Sequence, residues 1–158
     1  MAAAATEIVV HGTAIALGGR AALLRGASGS GKSDLALRAL AAPVGSLVEA
    51  SFGLVADDQV VIRATEEGLT VSPPDRLQGL IEVRGLGIVT VPHRSDACLS
   101  LLVDLVGPDR LERLPDPWPT DVLLGVSLPV LRLAPFNASA PLKLALALTR
   151  EPWRGPSA

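Results

Sequence analysis

Gly26-Ala27-Ser28-Gly29-Ser30-Gly31-Lys32-Ser33 is the stretch on which the reading of this chain turns. Its first and sixth residues are glycine, its seventh lysine and its eighth serine, the G-x-x-x-x-G-K-[ST] pattern of a phosphate-binding loop, or P-loop. The chemistry requires these residue types. Glycines let backbone N–H groups turn inward around phosphate oxygens, and a side chain would block that approach. A helix beginning just after the loop presents its positive end to the same anion. Lys32 can reach the terminal phosphates, and the Ser33 hydroxyl can ligate magnesium. The eight residues from Gly26 to Ser33 therefore predict a site for a nucleoside triphosphate with Mg2+. Of the fourteen basic residues, only Lys32 and Lys143 are lysine, and one of them occupies the position where the loop needs it.

Working outward, the segments around the loop predict a strand before it and a helix after it. Glu7–Val10, Thr13–Leu17 and Arg20–Arg25 are short β-rich runs, the last two joined by Gly18-Gly19 as a tight turn. From Ser33 to Ala42, apolar Leu35, Ala36, Ala39 and Leu40 recur at helical spacing until Pro43 stops the run. Further strands are expected at Phe52–Ala56, Val60–Ile62, Leu69–Val71, Leu80–Val89, Ala97–Leu105 and Leu128–Leu133, with a closing helix at Leu142–Leu148. Residues 107–121, rich in Pro, Asp and Arg, read as a long mobile loop. With no internal repeat and no linker, residues 1–158 predict a single sheet-rich α/β domain.

Three acids stand out beyond the loop. Asp57-Asp58 ends an apolar strand pattern, the place where P-loop enzymes position an acid beside magnesium or its water. Asp is also common at strand-to-turn junctions for local hydrogen-bonding reasons, so the pair carries weight chiefly in combination with the loop. Glu82 lies in an otherwise apolar strand as a possible metal carboxylate, and Gly85 and Gly87 suggest a close backbone approach just downstream.

Composition excludes several classes. Hydrophobic residues make up 49% and charged residues 19%, which argues against disorder, and 158 residues suffice for one core. The net charge is −2 with no basic stripe or aromatic platform, so no nucleic-acid partner is expected. Each apolar run is interrupted before membrane-spanning length, and the N-terminus lacks a basic region followed by an apolar stretch. A single cysteine, Cys98, fits a reducing cytoplasm and reads as a buried inert thiol in the run Ala97–Val103. Phe136, Leu142, Trp118 and Trp153 read as core or interface.

The loop, then Leu54-Val55-Ala56-Asp57-Asp58, then Ile81-Glu82-Val83-Arg84-Gly85-Leu86-Gly87-Ile88, resemble in order and spacing the catalytic domain of HPr kinase/phosphorylase. His11-Gly12 matches another family position. The likeness extends to about residue 105, and the chain resembles the short bacterial forms that begin at the catalytic domain. It implies a fold like that of phosphoenolpyruvate carboxykinase and a cytoplasmic, hexameric, Mg-ATP-dependent kinase. Its substrate would be a serine of HPr, the phosphocarrier of the sugar phosphotransferase system. By the same resemblance Lys32 would hold the β- and γ-phosphates, and Ser33 and Glu82 would ligate magnesium. Asp58 or Asp57 would take the serine proton, with His11 orienting that carboxylate. Arg113, or alternatively Arg110, would serve near the transferred phosphate. Family members with strong phosphorylase activity are basic near the C-terminus, whereas Leu133–Ser139 contains no Arg or Lys. A kinase of a small metabolite and a non-catalytic ATP-sensing module are the competing expectations. The second would be marked by loss of Asp57, Asp58 or Glu82, and all three are present.

Overall fold

In the computed structural model, which describes residues 6–152, the glycine-rich loop joins β3 (Arg20–Arg25) to α1 (Lys32–Leu40). β3 is central because its small and aliphatic interior residues, Ala21 to Leu24, are buried whichever face they point to. It pairs antiparallel with β2 (Thr13–Leu17) and parallel with β9 (Ala97–Leu105). The far edge of β2 pairs antiparallel with β4 (Phe52–Ala56). Two reversals make β4 parallel to β3, so the residues following β4 emerge at the same end of the sheet as the loop.

β9 branches. Its N-terminal end pairs with β6 (Gly68–Ser72), which continues to β5 (Gln59–Thr65) and β1 (Glu7–His11). Its C-terminal half pairs in parallel with β11 (Val126–Leu133), which carries β10 (Thr120–Leu123) as a hairpin partner. These nine strands form one sheet, and β7 (Leu80–Val83) with β8 (Gly87–Thr90) forms a separate hairpin. α2 (Ala140–Thr149) packs with α1. Among the described residues no helix is long and apolar enough to cross a membrane.

The core forms on both faces of the sheet. On the helical face, Leu35, Ala36 and Ala39 of α1 and Leu144, Ala145 and Leu148 of α2 bury against Ile15, Leu24, Leu54 and Val103. Each fully buried leucine there contributes about 1.5–3 kcal/mol relative to exposure. On the other face Val55, Ile62, Val71, Leu99 and Leu102 form a second cluster, where β5 and β6 reach back toward β2 and β4. At the loop end, Arg25 bonds Asp104 of β9 and Asp121 of β10, both at 2.7 Å, tying three strands together at the root of the loop. Burial opposes the Arg25 charge, yet hydrogen bonds and attraction from the two carboxylates prevail and raise its pKa above the ordinary value.

Three sequence expectations need correction. Thr120 and Asp121 are not loop; they open β10, whose pairing with β11 supplies the backbone partners that local composition could not reveal. Cys98 is exposed, because alternation at the start of β9 buries Ala97 and Leu99 and turns position 98 outward. Gly85 and Gly87 are not crowded by any described residue of the chain itself: a Cβ at either would meet nothing within 4 Å. Their φ values of 85° and 122° serve the turn joining β7 to β8, which divides the expected run Leu80–Val89. Of the two alternatives for Phe136, core or interface, its 71% exposure removes the first. Trp118 packs partly against the core, and Trp153 lies outside the described residues.

Candidate functional site

β1 and β2 are nearly one strand, interrupted at Gly12, and β4 and β5 nearly one strand, interrupted at Asp57-Asp58. The register pairing His11 with Gln59 and Ala14 with Ala56 carries through both interruptions. Gly12 therefore faces Asp58, and its N–H donates to the Asp58 carbonyl at 3.1 Å. Only glycine fits at position 12, since a Cβ there would lie 2.9 Å from the Leu24 carbonyl oxygen. The double bend gathers His11, Thr13, Asp57 and Asp58 at one corner, beside the glycine-rich loop.

The two adjacent acids have opposite environments. Asp57 is 7% exposed. Its Oδ1 accepts from Thr13 Oγ1 at 2.9 Å and from Ser33 Oγ at 2.7 Å, and its Oδ2 accepts from the Glu82 N–H at 3.2 Å. Three donors satisfy a buried carboxylate that would otherwise be costly. Asp58 has a side chain 72% exposed, 3.4 Å from His11 Nδ1. Its φ of 67° is a left-handed conformation that Asp tolerates better than most residues, and such positions concentrate at functional sites.

In the loop, Gly29 and Gly31 adopt φ of 81° and 101°, a conformation that orients successive N–H groups toward one side. The first-turn N–H groups of α1 have no intrahelical partner. Lys32 is buried, and its Nζ donates to the Gly26 and Ala27 carbonyls at 2.6 and 2.9 Å. Burial pushes its pKa below the ordinary lysine value, against the opposing pull of Asp57 and Asp58. The Ser30 hydroxyl is buried without a hydrogen-bond partner among the described residues. Such a concentration of donors around a cationic side chain suits a polyphosphate. Mg2+ needs no protein-only cage, because it is commonly shared between one or two protein oxygens and substrate phosphates. The residues present fit that pattern: Ser33 and Glu82 line one cavity with Asp57, while no group of three His, Cys, Asp or Glu among the described residues forms a metal cluster by itself.

These groups line a cavity of about 480 Å³, within the size range of small-molecule sites. One wall is the β7–β8 hairpin, and the segment leaving β8 is tied to β4 by Leu54 N–H to the Pro92 carbonyl (2.9 Å) and Arg94 N–H to the Leu54 carbonyl (2.8 Å). Ile81, buried in the core, anchors it from inside. The hairpin thus delivers Glu82, Val83 and Arg84 to the cavity. Of the residues expected from sequence, His11, Ser28, Gly29, Gly31, Lys32, Ser33, Asp57, Asp58 and Glu82 come together there. Gly26, Ala27 and Ser30 complete the loop behind them. Arg113 and Arg110 do not line it; both are exposed in the segment between β9 and β10. Sequence reasoning missed Thr13 and Phe136 and gave Arg84 no role. The register opposite Asp57 identifies Thr13, but register is invisible in a single sequence.

Comparison with known proteins bears on the family and the fold. Residues 2–135 match the family model described as the HPr Serine kinase C-terminal domain. The chain is 36% identical over 135 residues to HPr kinase/phosphorylase of Bordetella pertussis, covering 78% of this chain and 41% of that protein. It is 42% identical over 88 residues to the Bacillus cereus (strain B4264) protein of the same name, covering 55% of this chain and 26% of that one. The chain thus spans well under half the length of either relative. Among solved structures, the Hpr(Ser) kinase/phosphatase from Coxiella burnetii superposes with a TM-score of 0.72 over 87% of this chain and 86% of its own. At 23% identity that likeness bears on fold alone, and it supports the sheet-rich α/β architecture.

Proposed function

The chain belongs to the HPr serine kinase C-terminal domain family, and from that premise we propose that it transfers the γ-phosphoryl group of Mg-ATP to a serine hydroxyl of HPr. The observation that carries the reading is the unequal placement of the two acids. Asp57 is occupied by three donors, so it is suited to holding Ser33 in position and unsuited to receiving a proton. Asp58 is exposed in the cavity, with His11 beside it, where an incoming hydroxyl can reach it.

In the proposed step the serine hydroxyl gives its proton to Asp58. Its oxygen forms a bond to the γ-phosphorus, the bond from that phosphorus to the β–γ bridging oxygen breaks, and ADP leaves with the electron pair. His11 orients the Asp58 carboxylate. Lys32 and the N–H groups of Gly29, Gly31, Lys32 and Ser33 would hold the phosphates, while the Ser30 N–H is used within the loop on the Ala27 carbonyl at 3.0 Å, and Ser33 and Glu82 would hold Mg2+. The metal, when bound, offsets phosphate charge. Phosphoryl transfer needs chiefly alignment and charge neutralisation, which this set is placed to provide. Arg84 already lines the cavity, so we assign it the additional positive charge ahead of Arg113 or Arg110. HPr as protein partner and a homohexameric assembly belong to the same proposal. Reverse phosphorolysis is expected to be weak, because residues 133–139 offer no basic side chain to an attacking phosphate.

The test is incubation with Mg-ATP and HPr from the same source, followed by mass analysis of HPr and its modified site. One phosphate on serine is expected, abolished by Asp58→Asn while ATP affinity is retained. Unmodified HPr in the presence of bound ATP would overturn the reading and direct the search to small-molecule acceptors.

A further inference from the structure

Phe136 follows β11, and because β11 runs parallel to β9 and β9 to β3, it emerges at the loop end of the sheet. Ligands of open α/β sheets bind outside the carboxyl ends of such strands. The backbone around Phe136 is pinned. Ala134 and Pro135 are buried, and the Asn137 N–H donates to the Ala134 carbonyl at 3.3 Å. Arg38 of α1 donates to the carbonyls of Pro135 and Asn137, on either side of Phe136, and is itself held by Asp34 at 3.0 Å. Yet the ring held by this scaffold is 71% exposed. Its tip rests on the loop: a Cβ on Gly31 would come within 2.9 Å of Phe136 Cζ. Among the described residues, Phe136 is also the only Phe, Tyr or Trp lining the cavity. A fixed aromatic face left in solvent contributes little to the core and is ready to cover another flat apolar surface.

We infer that Phe136 is the stacking platform for the purine base of the nucleoside triphosphate. The inference rests on the nucleotide-binding reading above and adds the base subsite to it. The phosphates occupy the glycine-rich loop, and the base lies toward Phe136 and Leu37, the latter one turn along α1 from Ser33. Stacking on a side chain is tolerant of base identity, so ATP and GTP are expected to bind with similar affinity and pyrimidine nucleotides more weakly.

The experiment measures binding of Mg-ATP and of Mg-tripolyphosphate, which lacks base and sugar, to the wild type, Phe136→Ala and Phe136→Trp. Phe136→Ala is expected to weaken Mg-ATP about tenfold or more and to leave tripolyphosphate unchanged. Phe136→Trp keeps Mg-ATP affinity, and its added indole fluorescence is quenched by ATP and not by tripolyphosphate. Equal weakening of both ligands by Phe136→Ala would overturn the platform and leave the ring as a support for Gly31. Unchanged ATP binding in Phe136→Ala would also overturn it, with the nucleotide site intact. Failure of the wild type to bind either ligand would overturn the nucleotide reading and the platform together.

Discussion

Replacing Asp57 by alanine separates structural from chemical roles within the acidic pair. The buried carboxylate accepts from Thr13, Ser33 and Glu82. Thr13 is fully buried, so losing its acceptor strands a hydroxyl at a cost of about 1–3 kcal/mol. Ser33 and the Glu82 N–H border the cavity and can turn to water, so each of those lost bonds costs about 0.5–1.5 kcal/mol. The sum is about 2–6 kcal/mol, which for a chain of this size lowers Tm by roughly 2–4 °C per kcal/mol, about 4–24 °C in all. Asp58→Asn should behave differently. Its side chain is exposed, and Asn tolerates the positive φ, so stability should change by no more than about 0.5 kcal/mol. Urea unfolding followed by circular dichroism, with thermal melts of wild type and both variants, provides the comparison. HPr phosphorylation should be lost in both, and only Asp57→Ala should unfold early. Equal stabilities for the two variants, or a larger loss in Asp58→Asn, would refute the division of roles.

Gly31→Ala and Gly85→Ala both place alanine at positive φ, at a backbone cost of about 1–3 kcal/mol each. Only the first also drives a methyl into Phe136, so its thermal denaturation midpoint should fall further and its Mg-ATP affinity should drop where that of Gly85→Ala does not. The Arg25 tie should show in acid. Asp121 has its pKa held below the ordinary carboxylate value, first by the Arg25 hydrogen bond and then by the Val122 N–H. Protons therefore bind the unfolded form better, and the contribution of Asp121 is complete above its unfolded pKa of about 4 and lost as pH falls through the lower folded value. Asp121→Asn should be less stable than wild type at pH 7, and denaturation curves of the two should converge on acidification. Cys98 should react with a thiol reagent in the native protein at one equivalent per chain, without denaturant; a thiol that reacts only after unfolding would contradict the strand alternation assigned to β9.

The fold class and the loop were legible in the sequence because both are local properties. Glycine spacing sets backbone conformation within a few residues of itself, and the periods of Arg20–Arg25 and of Ser33–Ala42 distinguish strand from helix without reference to partners. Observed β3 and α1 match those expectations to within two residues. The corner at Gly12 and Asp57-Asp58 depends on pairing between segments more than forty residues apart, and no local pattern carries register. For that reason the sequence left Asp57 and Asp58 as alternatives, although their exposures differ from 7% for Asp57 to a 72% exposed side chain for Asp58. Cys98 was misjudged, and Phe136 left open, for a related reason. Hydrophobicity states what a side chain favours, whereas burial depends on which face neighbouring strands leave open. Sequence alone determined that a phosphate-loop motif and three acids share this chain; only the tertiary structure decided which acid is saturated, which is free, and which aromatic ring stands beside them.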